Sequence, residues 1–185
     1  KAILCVDNAK VKALAQETDK EVITYGLADA DYVAKDICYG VDGTSYKLYY
    51  KDELVTEVRL IVPGRHNVLN SVGAFAAARE MGIEVENILA SLAKFGGAKR
   101  RFETKGKVNG VWVVDDYAHH PTEIEVTLKA ARQTQPKRLL CLFQPMHHTW
   151  KHLRQLHGQL RLQGFLHPEL PEELYPNQLF RLEQG

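Results

Sequence analysis

The residues best equipped for chemistry lie between Val111 and Pro121, in the string V-W-V-V-D-D-Y-A-H-H-P. An apolar β-type run stops at two carboxylates, a tyrosine and two imidazoles, and Pro121 then opens a helix. Polar side chains gathered at the C-terminal end of a strand cost stability unless they are used, and in open α/β sheets ligands bind outside that strand end. Asp115 and Asp116 alternate, so one faces the sheet surface and the other the loop. A carboxylate placed there can accept the hydroxyls of a ribose. Tyr117 is positioned to stack on a base, and His119 and His120 to contact an anion or relay protons. A second chemistry competes, because two carboxylates and two imidazoles also suit zinc or iron. Against it, adjacent histidines seldom share one ion. His148 and His152 stand at i, i+4 but without an H-E-x-x-H pattern.

Two further clusters carry functional groups. In P-G-R-H-N-V-L-N, residues 63–70, His66, Asn67 and Asn70 stand at the mouth of a helix. Asn67 and Asn70 are i, i+3, so both amides leave the same face of the first turn. A primary amide sets a donor beside an acceptor, which complements the N6/N7 edge of adenine. The helix end also offers backbone N–H groups to a phosphate. The plainer alternative has Asn67 capping the helix and His66 as an ordinary surface residue. In K-R-R-F-E, residues 99–103, adjacent arginines on an extended segment point to opposite sides, so one of them at most enters a given pocket. A guanidinium there would clamp a phosphoryl group. Taken alone, the run is also what a solvated linker looks like.

The elements that must hold these clusters follow from periodicity. Short apolar runs at 2–6 and 22–25 read as buried strands flanking a helix at 9–15. Runs at 32–39, 45–50 and 54–62 alternate polar with apolar, as antiparallel strands do, with turns at Asp42-Gly43 and at 51–53. The period then changes. A helix is predicted over 67–81, with Leu69, Val72, Phe75 and Ala76 on its apolar stripe and Gly82 past its end. A second helix over 85–95 carries Val85, Ile88, Leu89 and Leu92 on one face and ends at Gly96-Gly97. The basic, glycine-punctuated stretch 98–110 reads as a boundary between domains. Beyond it, strand 111–114, helix 121–132 and strand 138–143 form a β-α-β unit with a parallel strand pair. Over residues 146–185 there is no Val, Ile, Ala, Asp, Ser or Cys, and leucine recurs among Gln, His and Pro.

Bulk properties narrow the classes. Across 185 residues, 45% apolar content, 25% charge and a net charge of +1 describe an ordinary globular chain. Such a charge makes no electrostatic case for nucleic acid or an anionic membrane, and no run is long enough to span a bilayer. Cys5, Cys38 and Cys141 are far apart in strand-like runs, as expected for buried thiols in the cytoplasm. Lys1 leads directly into a strand, which reads as an incomplete N-terminus.

In this order and spacing, P-G-R-H-N-V-L-N, K-R-R-F-E, D-D-Y-A-H-H-P-T-E-I and F-Q-P resemble the Mur ligase family over about residues 1–145. The match is strongest to the branch that joins L-alanine to UDP-N-acetylmuramate. The resemblance implies an α/β fold made of part of a central ATPase domain, residues 1–99, followed by a truncated Rossmann-like C-terminal β-α-β unit, residues 100–145. It implies ATP and magnesium as cofactors, an acyl-phosphate intermediate, and a nucleotide lying between the two domains. His66, Asn67 and Asn70 match the family's adenine-side motif. Arg101 matches the catalytic arginine that reaches the phosphates, Asp116 the aspartate that holds the ribose, and Tyr117 a nucleotide-side position. His119 and His120 match positions lining the substrate side of the cleft.

The departures are equally specific. The family's glycine-rich phosphate loop and its magnesium ligands would lie upstream of Lys1. After F-Q-P the chain reads M-H-H-T-W-K in place of the family's arginine-containing string. Residues 146–185 are therefore expected to be an atypical tail outside the family frame, packed loosely over the sheet through its leucines. A sheet of only two or three strands would leave an edge open to self-association. The isolated chain is expected not to ligate. A non-catalytic nucleotide-binding remnant and a metal-dependent hydrolase are the competing readings.

Overall fold

The computed structural model describes residues 1–40, 42–143 and, as backbone, 179–183. The chain divides into two compact units, Lys1–Gly96 and Gly97–Gly185.

The first unit holds strands β1 (Ala2–Cys5) and β2 (Val22–Gly26), joined by helix α1 (Ala9–Glu17). Strands β3 (Tyr32–Gly40), β4 (Gly43–Tyr50) and β5 (Glu53–Leu60) follow, then helices α2 (Arg65–Glu80) and α3 (Val85–Lys94). The sheet order is β1-β2-β3-β4-β5. Strands β1 to β3 run parallel, and β3 to β5 form the expected antiparallel meander. Lys51 and Asp52, at φ 47° and 66°, close the second hairpin as a pair of left-handed residues. In the first hairpin Gly43 has φ 128°, and any Cβ there would fall on the Leu60 carbonyl oxygen of the neighbouring strand.

The core sets Tyr46, Leu48, Val58 and Leu60 of the sheet against Val68, Val72, Phe75 and Ala76 of α2 and Ile88 of α3. Val68 replaces Leu69 in the predicted stripe, and Leu69 is only half-buried. The four-residue ladder 68-72-76 faces the sheet, so Leu69 is rotated to its flank. Helix α2 stops as anticipated: Gly82 N–H bonds Arg79 O and Ile83 N–H bonds Ala78 O, the two bonds of a Schellman turn. The expectation of three buried thiols is not met: Cys38 is exposed, and Cys5 and Cys141 are half-buried. Asp36 at φ 53° makes a bulge between Lys35 and Cys38, and the bulge shifts the alternation of β3 by one residue.

The second unit contains β6 (Glu103–Val108), β7 (Val111–Asp115), helix α4 (Pro121–Gln133), β8 (Arg138–Leu142) and β9 (Leu179–Glu183). Strand β6 lies where a linker was expected. Asn109 and Gly110, at φ 51° and 74°, form a two-residue turn that brings Val108 opposite Val111. Asn-Gly is the sequence signal for this turn, but the polar composition of 98–110 masks it. The sheet order is β6-β7-β9-β8. Strands β7 and β8 are therefore not the adjacent parallel pair that the β-α-β order predicts. Strand β9 lies between them, antiparallel to both, and satisfies their facing backbone groups. Residues 179–183 thus pair in the sheet by backbone. The rest of the expected loose tail lies outside the described residues. On the helix side, Trp112, Val114, Ile124, Leu128 and Ala131 form a core with Phe102, whose ring meets Trp112 edge-on at 5.8 Å between centroids.

Candidate functional site

In the second unit the cluster is built where β7 ends and α4 begins. Asp116 follows the last residue of β7 and is 4% exposed. Its Oδ2 accepts the Phe102 N–H and its Oδ1 accepts the Ala118 N–H, each at 2.8 Å. Asp116 was expected to present its carboxylate to a ribose. Instead both oxygens are engaged by backbone, tying the 100–102 turn to the loop before α4. Only the second lone pair of each oxygen is left for an added donor. The 99–103 segment is not extended as predicted. Arg100 and Phe102 have φ 57° and 50°, and the Arg101 N–H bonds Ala98 O at 3.1 Å. The chain must turn sharply here to bury Phe102 against Trp112.

That turn decides where the arginines go. The Arg100 guanidinium lies 4.3 Å from the centroid of the Tyr117 ring, while Arg100 O accepts the Tyr117 N–H at 2.7 Å. One face of Tyr117, the residue expected to stack on a base, is thus covered by a cation. The rings of Tyr117 and His119 lie 5.4 Å apart. Arg101 is exposed, with Nη1 3.7 Å from Glu123 Oε1. Asp115 is half-buried, with Lys105 Nζ at 3.7 Å and Arg100 Nε at 3.9 Å from Oδ2.

His120 is the N-cap of α4, and its Nδ1 accepts the Thr122 N–H at 3.3 Å. Glu123 completes the cap from inside the helix. Its Oε2 accepts the His119 N–H at 3.2 Å and the His120 N–H at 3.3 Å. Burial works to raise the Glu123 pKa. The two backbone donors and the nearby His119 and Arg101 outweigh it and hold the carboxyl below its ordinary value. His119 Nδ1 lies 3.1 Å from Tyr117 O and 3.4 Å from Glu123 Oε2. Glu123 was not among the residues singled out from the sequence. The spacing of His120 and Glu123, N-cap to N3, is a capping-box signal that would have marked it.

In the first unit, His66, Asn67 and Asn70 lie on the first turns of α2. His66 and Asn67 are half-buried, and Asn70 is exposed. Asn67 is not the cap: Gly64, at φ 104°, takes that position without a side-chain bond. The Asn67 amide instead donates back to Pro63 O at 2.7 Å, fixing the loop that enters the helix. Arg65 pairs with Asp7 at 2.7 Å, and Asp7 also accepts the Leu27 N–H at 2.8 Å. This link between β1 and the head of α2 carries no sequence signal, because its partners are far apart in the chain. Among the described residues, no three His, Cys, Asp or Glu side chains gather as metal ligands would, so the zinc or iron chemistry has no cluster behind it there.

Two family models match the chain in succession: the Mur ligase middle domain over residues 1–78 and the Mur ligase glutamate ligase domain over residues 100–163. The chain belongs to the Mur ligase family. The second match runs beyond Pro145 into the segment expected to leave the family. A UDP-N-acetylmuramate–L-alanine ligase of Geotalea daltonii is 44% identical over 149 residues, which are 80% of this chain and 32% of that protein. One from Desulforamulus reducens is 41% identical over 157 residues, 84% of this chain and 34% of that protein. This Mur ligase chain therefore spans about a third of the length of the curated relatives it matches. Its fold is similar to that of the UDP-N-acetylmuramate–alanine ligase of Thermotoga maritima, with TM-score 0.67, 24% identity, and coverage of 77% of this chain and 37% of the other. It is also similar to a MurF ligase of Thermotoga maritima in complex with ADP, with TM-score 0.66, 20% identity, and coverage of 86% and 36%.

Proposed function

We propose that this chain is part of an ATP-dependent ligase that joins L-alanine to UDP-N-acetylmuramate in peptidoglycan precursor synthesis. The observation that carries the reading is the cluster of Arg101, Tyr117, His119 and His120 at the head of α4, in a chain 44% identical to such a ligase. In the reaction, the substrate carboxylate attacks the γ-phosphorus of ATP and ADP leaves. The amine of alanine then attacks the acyl carbon of the acyl phosphate, and phosphate leaves. Arg101 would neutralise charge on the transferring phosphoryl group, and its exposure leaves it free to swing from Glu123 to a ligand. His66, Asn67 and Asn70 would face adenine, Asp116 and Tyr117 the ribose side, and His119 and His120 the substrate. Asp116 would do so through the lone pairs that its backbone bonds leave unused. Magnesium is the second cofactor in this proposal, and among the described residues no three His, Cys, Asp or Glu side chains gather as ligands for it. Cytoplasmic residence and association of copies through the outer strands β6 and β8 belong to the same proposal. No helix of the described residues is long and apolar enough to cross a membrane.

Isothermal titration of the chain with ATP tests this reading. Binding should weaken several-fold in Arg101→Ala and in Asn70→Ala, and weaken in high salt. An ATP titration with no heat of binding would overturn the assignment. Ligation is expected to be undetectable in this chain, and amide product from UDP-N-acetylmuramate and L-alanine would refute that expectation.

A further inference from the structure

Glu123 touches three residues of the candidate site, Arg101, His119 and His120. One oxygen accepts the N–H groups of His119 and His120, and the other faces Arg101. The same Oε2 lies 3.4 Å from His119 Nδ1, which also lies 3.1 Å from the Tyr117 carbonyl oxygen. Both oxygens can only accept a hydrogen bond: a backbone carbonyl has no proton, and the Glu123 carboxyl is ionised at neutral pH. Nδ1 must therefore carry the hydrogen. In a neutral imidazole the lone pair then belongs to Nε2.

We propose that Glu123 is a positioning residue that, with the Tyr117 carbonyl, fixes His119 as the Nδ1–H tautomer and so makes Nε2 its acceptor atom. The inference rests on the ligase reading only for its consequence. A neutral His119 held this way offers a lone pair, so it suits a substrate group that brings a hydrogen, such as an amine or a hydroxyl, and not a carboxylate or phosphate oxygen. An incoming amino group must lose a proton before it attacks an acyl carbon, and an oriented imidazole nitrogen accepts such a proton.

Long-range proton–nitrogen NMR of the whole chain reads the tautomer directly, with the His119 signals identified by their loss in His119→Gln. In the wild-type chain with His119 neutral, Nδ1 should show the shift of a protonated nitrogen and Nε2 that of an unprotonated one. Glu123→Gln keeps a side chain able to accept the cap N–H groups. It should raise the Nε2–H population of His119. Glu125→Gln, which removes the i, i+4 partner of Lys129 on the same helix, should leave the tautomer unchanged. A wild-type Nε2–H tautomer overturns the proposal even if the Glu123 variant does not fold. So does a Glu123→Gln spectrum with an unchanged tautomer. Failure of ATP binding would refute the ligase reading while leaving the tautomer result intact, so the two are separable.

Discussion

Replacing Asp116 by alanine should unfold the second unit well before it alters anything else. The carboxylate is 4% exposed and accepts two backbone N–H groups at 2.8 Å. Truncation leaves the Phe102 and Ala118 donors buried without that partner, at about 1–3 kcal/mol each, so the loss is about 2–6 kcal/mol. Phe102 adds to this. Its φ of 50° is a left-handed conformation that a non-glycine residue holds only when its surroundings impose it, and the bond to Asp116 is one of the restraints. Against a typical domain stability of about 5–15 kcal/mol, the change is large. Urea unfolding followed by tryptophan fluorescence reports on this unit, because residues 1–96 hold no tryptophan and Trp112 packs on Phe102. With an m value of about 1.5 kcal/mol per molar, the midpoint should fall by roughly 1.3–4 M. Asp116→Asn keeps one acceptor oxygen and turns a donor toward the other N–H, so it should lose about half as much. An Asp116→Ala chain whose midpoint stays within about 0.3 M of wild type, but whose ATP affinity collapses, would refute the structural role and leave ligand contact as the carboxylate's only part.

Two further outcomes concern the first unit. Tyr46 is 1% exposed, its hydroxyl 2.7 Å from Ser71 Oγ, and burial pushes its phenol up to about 12 despite that hydrogen bond. A raised folded-state value means stability is full below the unfolded value near 10 and is lost as pH climbs toward 12. Thermal melts followed by circular dichroism should fall over that window, and Tyr46→Phe should flatten the fall at a cost of about 1 kcal/mol near neutrality. Gly43→Ala should destabilise the unit by more than the ~1 kcal/mol of an ordinary left-handed glycine replacement, because its Cβ would fall on Leu60 O. A midpoint in urea equal to wild type would show that the β4–β5 pairing gives way there at no cost.

Much of the scaffold was legible because it is encoded locally. Helix α3 matches its predicted span to one residue, since four apolar residues at helical spacing and two glycines define it without help from elsewhere. The meander of β3 to β5 follows from alternation and turn residues, and the Schellman stop of α2 from one glycine. The motif strings pointed to the family that the family models then matched. In the second unit, Arg101, His119 and His120 meet through Glu123 at the head of α4, and Tyr117 lies beside His119. Strand β6 was missed because a strand of lysines, glycine and threonine pairs through its backbone, and side-chain hydrophobicity does not register that.

What the sequence alone determined, then, is the order and type of most elements, the turn chemistry and the family. All of these rest on interactions within a few residues or on motif strings read in order. The tertiary structure decided the partners. It set β9 between β7 and β8, gave the Asp116 carboxylate to two backbone N–H groups, turned Arg100 onto Tyr117, and put one oxygen of Glu123 against His119 and the other toward Arg101. A side chain's type states how many hydrogen bonds it can make. Which atoms satisfy them depends on the segments that packing brings within 3 Å, and buried polar groups take the nearest donors whether or not a ligand was expected there.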